Sequence, residues 1–286
     1  MTAPCQRGFL TSGCMSAATT PRLTTGWEPD LPDADSLSLR WLRHWSDQCA
    51  AFAIAAGGTV VEDERYVLAD YGRPASFFNA AVLLTPQPDP RDLHALLDEI
   101  ESRAARGTGE VYLWSLWPTP DLRPRGWTLE GHPPLLVRPP TAMVPLPTMT
   151  DREEPARVRS VGELAEWERV AVEGYPMTDL QPFQAGTLAG PALLDDQRFR
   201  FWATFRNGRM VAISAQFVSR GVAGFALGVT LPSARRDRHW MRHARMRLHT
   251  EPDRWQVGVF SDHSRAGAEQ LGFVPVTRHT LWHRAR

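Results

Sequence analysis

Thr230-Leu231-Pro232 is followed within six residues by Arg235, Arg236 and Arg238, and a helical stretch then runs to about His249. The apolar run Phe225 to Leu231 reads as a strand, the proline ends it, and the arginine-rich loop opens a helix. Free N–H groups at a helix N-terminus and the positive end of its dipole both attract an anion. Arginines add charge-assisted hydrogen bonds. Taken alone, the cluster fits a solvated basic turn equally well, with Asp237 as the helix cap. Gly228 inside the strand fits a bulge or a close backbone approach, or a small residue kept for packing.

Val257-Gly258-Val259-Phe260 reads as a second strand, followed by a short helix and Gln270-Leu271-Gly272-Phe273, which turns into a last strand ending at Trp282. This order, over about residues 156–286, resembles the GNAT acetyltransferase superfamily. There the strand-loop-helix reads roughly V-x-P-x-x-[QR]-x-x-G-x-[GA] and a later segment reads Y-x-x-L-G-F. Arg235 stands at the Gln/Arg position, Arg238 and Trp240 replace the two glycines, and Ala268 stands where the tyrosine falls. The resemblance implies acetyl-CoA as cosubstrate. It places the pantetheine arm along Gly228, Val229, Thr230 and Leu231. The pyrophosphate falls on Arg235, Arg236, Asp237, Arg238, His239 and Trp240, with Ser264 nearby.

Acyl transfer to an amine needs a base for the amine proton and an acid for the departing thiolate. Ala268 supplies neither. The resemblance leaves Asp262, His263 and Ser264 after the second strand, and Glu173 and Tyr175 in the region that shapes an acceptor pocket. His263 has the most suitable intrinsic pKa. The expected catalytic set is therefore His263, Glu173 and Tyr175, although transfer can also proceed by positioning alone.

Composition sets limits on other functions. The 286 residues carry no net formal charge, so no global pull toward nucleic acid or membrane is implied. All 32 basic residues are arginine, which excludes Schiff-base chemistry and a Walker-type phosphate lysine. Cys5, Cys14 and Cys49 have no metal-ligand spacing, and no metal is expected. Their odd number fits a reducing cytosol, and a cytoplasmic location is expected. No apolar run approaches the roughly 18 residues that span a bilayer.

The supporting elements follow from periodicity. Helices are expected near 35–56, 89–105 and 162–174. Strands are expected near 59–71, 76–85, 111–114, 134–138, 157–160, 198–206 and 209–219, the last two flanking an Asn207-Gly208 hairpin turn. The halves echo each other at a shift of 146: Val111 falls on Val257, Ser115 on Ser261, Gly126 on Gly272 and Arg138 on Arg284. The expected fold is α/β of the α+β type: two GNAT-like domains, each a mixed, mostly antiparallel sheet flanked by helices. Residues 1–25 read as a disordered tail, 26–140 as a degenerate GNAT-like domain, 141–155 as a proline-rich linker and 156–286 as an N-acetyltransferase domain. Residues 86–90, with three prolines and no basic residue, predict no CoA site in the first half. The expected activity is transfer of an acetyl group from acetyl-CoA to an unidentified amine. The alternative is a noncatalytic CoA-sensing or protein-interaction module.

Overall fold

Helix α1 (Leu37–Ala55) buries Trp41, Leu42, Trp45, Cys49 and Phe52, the face that their three- and four-residue spacing predicts. The computed structural model describes residues 37–87, 89–140, 154–175, 177–235 and 237–285; the 1–25 tail, nearly all of the 141–155 linker, Pro88 and Arg236 lie outside them. The stretch expected as a single strand over 59–71 is a hairpin, β1 (Thr59–Glu62) and β2 (Tyr66–Asp70). Its polar middle breaks the strand: the Asp63 carboxylate accepts from the Arg65 backbone N–H at 2.9 Å. There follow β3 (Ala80–Leu83), α2 (Pro90–Arg106), β4 (Val111–Ser115), β5 (Thr128–Gly131) and β6 (Pro134–Arg138).

The second half runs β7 (Ala156–Arg157), α3 (Val161–Gly174), β8 (Phe199–Arg206), β9 (Arg209–Ser219), β10 (Val222–Thr230), α4 (His239–Thr250), β11 (Trp255–Val259), α5 (Asp262–Gln270), β12 (Val274–Arg278) and β13 (Thr280–Arg284). A reciprocal capping box between Ser160 and Glu163 starts α3. Asn207 and Gly208 turn the β8–β9 hairpin with φ of 50° and 75°. The single last strand expected after Phe273 is two strands, broken at the buried His279.

The strands form two sheets, in the orders β1-β2-β3-β4-β13-β5 and β12-β6-β11-β10-β9-β8-β7. Each contains one parallel pair, β3–β4 and β10–β11, and is otherwise antiparallel. β6 lies between β11 and β12, and β13 between β4 and β5, so each half gives its last strand to the other's sheet. At the crossing, His279 N donates to Pro133 O at 3.1 Å and the Arg278 guanidinium donates to His132 O at 2.7 Å. Both pairs are separated by 146 positions, the period of the sequence echo.

The core joins the halves. Helix α1 packs on both sheets: Trp45 meets Trp114 edge-on at 4.9 Å on one side, and Phe52 meets Phe199 edge-on at 5.1 Å on the other. Helix α2 covers the far face of the first sheet with Leu93, Leu96, Leu97 and Ile100. Ala244 and Leu248 of α4 share a cluster with Leu271 and Phe273 on the far face of the second. Together these layers hold the edges of β10 and β11 in place.

Candidate functional site

β10 and β11 pair only from Val222↔Trp255 to Gly224↔Val257. β10 remains paired with β9 as far as Thr230↔Ala212. The two parallel strands therefore part after Gly224, leaving β10 polar backbone groups on the β11 side free for a ligand. A bulge lies between Ala226 and Gly228, with Leu227 at φ 37°. This is the irregularity that Gly228 suggested in the sequence.

The loop after β10 begins with a single 3-10 turn, Pro232–Ala234. The Arg235 guanidinium donates to Gly174 O at 3.1 Å and to Thr230 O at 3.4 Å, tying the loop to the end of α3. Arg238 is the N-cap of α4, in the left-handed region at φ 58°, and its own side chain makes no capping hydrogen bond. Asp237 pairs instead with Arg206 at 3.0 Å. The positive end of the α4 dipole faces this loop. His239 is buried. Trp240 stands over Gly267 of α5, where an added Cβ would lie 2.9 Å from its ring.

These elements enclose a cavity of about 410 Å³, lined by Gly174, Tyr175, Gly228, Val229, Thr230, Ala234, Arg235, Arg238, His239 and Trp240. Leu231 and Asp237 flank the lining, and Arg236 lies outside the described residues. A second cavity of about 650 Å³ shares Tyr175, Gly228 and Trp240 with the first. It follows the parted strands inward, past Phe225, Phe260 and Ser264, to a chamber walled by Trp41, Trp45, Phe77, Phe78 and Trp114 of the first half. Glu130 and His132 stand on its wall too.

The expected catalytic residues separate. Tyr175 lies at the junction of the two cavities, 42% exposed, and its hydroxyl bonds to no described residue; partial desolvation raises its pKa. Glu173 pairs with Arg169 on the exposed side of α3 and lines neither cavity. His263 is exposed in the first turn of α5 and also lines neither.

Several lining residues lay outside the sequence reading. Gln48 is buried on the apolar face of α1, lines the chamber, and hydrogen-bonds to no described residue. The indole N–H groups of Trp45 and Trp114 are buried without acceptors among the described residues. Arg247 of α4 is also buried and lines the cavity; burial lowers its pKa to about 9. A polar residue inside an apolar helical stripe, such as Gln48, is the one sequence signal available for these positions. Among the described residues, no group of three His, Cys, Asp or Glu is placed to hold a metal ion. No described helix is long and apolar enough to cross a membrane.

No protein-family profile and no curated sequence matches the chain. Solved structures do. A GCN5-related N-acetyltransferase from Kribbella flavida superposes with a TM-score of 0.63 at 20% identity, over 87% of this chain and 96% of that one. A putative GNAT-family acetyltransferase from Novosphingobium aromaticivorans gives 0.51 at 16% identity, over 79% and 91%. A GCN5-related N-acetyltransferase from Sphaerobacter thermophilus gives 0.50 at 12% identity, over 72% and 71%. The chain has the GNAT fold. Within that fold, the parted β10–β11 pair and the N-terminus of α4 form the strand-loop-helix read from Thr230-Leu231-Pro232. The corresponding helix start in the first half differs. Asp89 caps α2 by accepting from Arg91 N at 2.8 Å, placing a carboxylate where an anion would bind.

Proposed function

We propose that the chain is an acyl-CoA-dependent N-acetyltransferase acting on an amine. The observation that carries this reading is the parting of β10 from β11, with adjoining cavities that run from the α4 N-terminus to an aromatic-walled chamber. The residues fit the cosubstrate: the start of α4 with Arg235 and Arg238 for the pyrophosphate, and the β10 edge beyond its pairing with β11 for the pantetheine amides. Acyl-CoA supplies an activated thioester. The chain orients it, excludes water from the aromatic chamber and brings the amine to it. Tyr175, at the cavity junction, donates a proton to the departing sulfur. We read residues 156–286 as the working domain and 26–140 as a degenerate partner, joined by a linker at 141–155, with the partner's side chains walling the acceptor. The three cysteines and the neutral charge support a cytoplasmic setting without nucleic-acid or membrane partners.

Titration calorimetry with acetyl-CoA and CoA tests the reading. Wild type is expected to bind. Arg235→Ala is expected to bind about tenfold or more weakly, the loss of one charge-assisted contact. Tyr175→Phe is expected to slow acetyl transfer to an amine panel without weakening acetyl-CoA binding. A folded wild type that gives no heat with any acyl-CoA would remove the cosubstrate and favour the interaction-module alternative.

A further inference from the structure

Arg247 is 2% exposed, yet no carboxylate among the described residues pairs with it. Its Nε donates to His243 O at 3.1 Å and its Nη1 to Ala215 O at 3.4 Å. Its guanidinium carbon lies 3.8 Å from the centroid of Phe225. Nη2 has no acceptor among the described residues, although Arg247 lines the inner cavity. A buried guanidinium without an anion is an unfavourable arrangement for a chain to keep. Carbonyls and a ring face meet only part of its demand, and its planar fork matches a carboxylate.

Its position is specific. Nη2 lies 3.5 Å from where a Cβ on Gly228 would stand, directly beside the bulge. Arg247 also lies about 13 Å along α4 from the N-cap, counting nine residues of helical rise. The helix that offers its first turn to the pyrophosphate therefore carries a buried cation deeper in the same channel, level with residues 225–228.

From this geometry we infer that Arg247 binds a substrate carboxylate, carried at the distal end of the acyl group, so that the favoured donor is a dicarboxylic acyl-CoA such as a malonyl or succinyl thioester. The inference rests on the acyl-CoA reading above. An acceptor carboxylate shares the chemistry; Arg247 is assigned to the donor because it stands beside Gly228, on the strand read as holding the pantetheine arm, whereas the cavity's aromatic walls come from α1 and the first half.

Calorimetry of the full chain with acetyl-, malonyl- and succinyl-CoA is the test, on wild type, Arg247→Met and Arg247→Lys, each checked for folding by circular dichroism. Wild type is expected to bind at least one dicarboxylic thioester about tenfold or more tightly than acetyl-CoA. Arg247→Met is expected to lose that preference while keeping its affinity for acetyl-CoA, and Arg247→Lys to keep part of it. Equal affinities for all thioesters in wild type would overturn the inference and leave the acyl-CoA reading intact. A preference that survives in both variants would also overturn it. Absence of any thioester binding would overturn both. Equal thioester affinities with phenylalanine binding the acetyl-CoA complex more tightly than phenylalaninamide, an effect lost in Arg247→Met, would move the carboxylate to the acceptor and overturn the donor assignment.

Discussion

Trp41 Nε1 donates to His279 Nε2 at 2.9 Å, joining the first described helix to the residue that separates β12 from β13. The bond fixes the histidine tautomer. Nε2 accepts, so Nδ1 carries the proton, and it faces Pro133 O at 3.4 Å. A second proton on Nε2 would set two N–H groups against each other. Burial acts in the same direction, lowering the pKa of His279 to about 4.

This gives a pH dependence with a definite sign. Between pH 4 and 6.5 the unfolded histidine binds a proton that the folded one does not, so stability falls as pH falls through that window. His44, lowered to about 4 by burial, adds to the effect, as does His243, held between the Thr204 and Ser214 hydroxyls and also lowered by burial. Urea titrations at pH 5, 6 and 7 are expected to show decreasing stability toward acid. His279→Gln is expected to reduce the slope by about 1 kcal/mol per pH unit between pH 5 and 6, and by less between 6 and 7, where the unfolded histidine is already losing its proton. An unchanged slope would remove His279 from the account.

The two residues that stand where the GNAT loop pattern has glycine are expected to respond in opposite directions. Arg238 holds φ 58°, which costs an L-residue about 1–2 kcal/mol, so Arg238→Gly relieves strain that outweighs glycine's added unfolded entropy. It is expected to stabilise by about 0.5 kcal/mol. Trp240 packs on Gly267 and meets Phe260 edge-on at 6.4 Å, so Trp240→Gly removes this packing from the first turn of α4. A loss of about 2–3 kcal/mol is expected. Thermal melts of the two single variants decide the matter; shifts of the same sign would refute it.

Glu168 organises the loop before β8. Its fully buried carboxylate accepts from the backbone N–H groups of Gly186 at 2.7 Å and Ala189 at 3.2 Å, and from that of Leu188 as well. Glu168→Ala leaves these donors without a partner and is expected to cost at least about 3 kcal/mol. Faster proteolytic cleavage within 183–190 is expected to accompany it. A loss below about 1 kcal/mol would show that the loop is held by its apolar residues instead.

The same loop touches α1 at a point that admits no side chain. A Cβ on Gly190 would lie 1.8 Å from Ala55 O, a backbone atom. Gly190→Ala is expected to destabilise by about 1–3 kcal/mol, by forcing the loop off the helix end. Urea unfolding checks this, and a neutral result would mean that the loop shifts freely.

Local chemistry in the sequence determined the elements. The apolar spacing of Trp41, Trp45, Cys49 and Phe52 specified α1, Asn207-Gly208 specified a hairpin, and Thr230-Leu231-Pro232 marked the strand-loop-helix at which β10 leaves β11. These signals reside within a few residues of one another, in backbone preference and helical period. What the tertiary structure decided was partnership. Pro134–Arg138 and Thr280–Arg284 both read as final strands, and nothing in a short strand names the sheet it joins, so their exchange emerges only once His279 and Pro133 meet at the crossing. For the same reason Arg247 reads as an ordinary helical residue, and Gln48 shows only as a polar residue in an apolar stripe. Each becomes part of the cleft because α1 packs across both sheets and α4 turns the Arg247 guanidinium in beside Gly228, contacts between residues far apart in the chain.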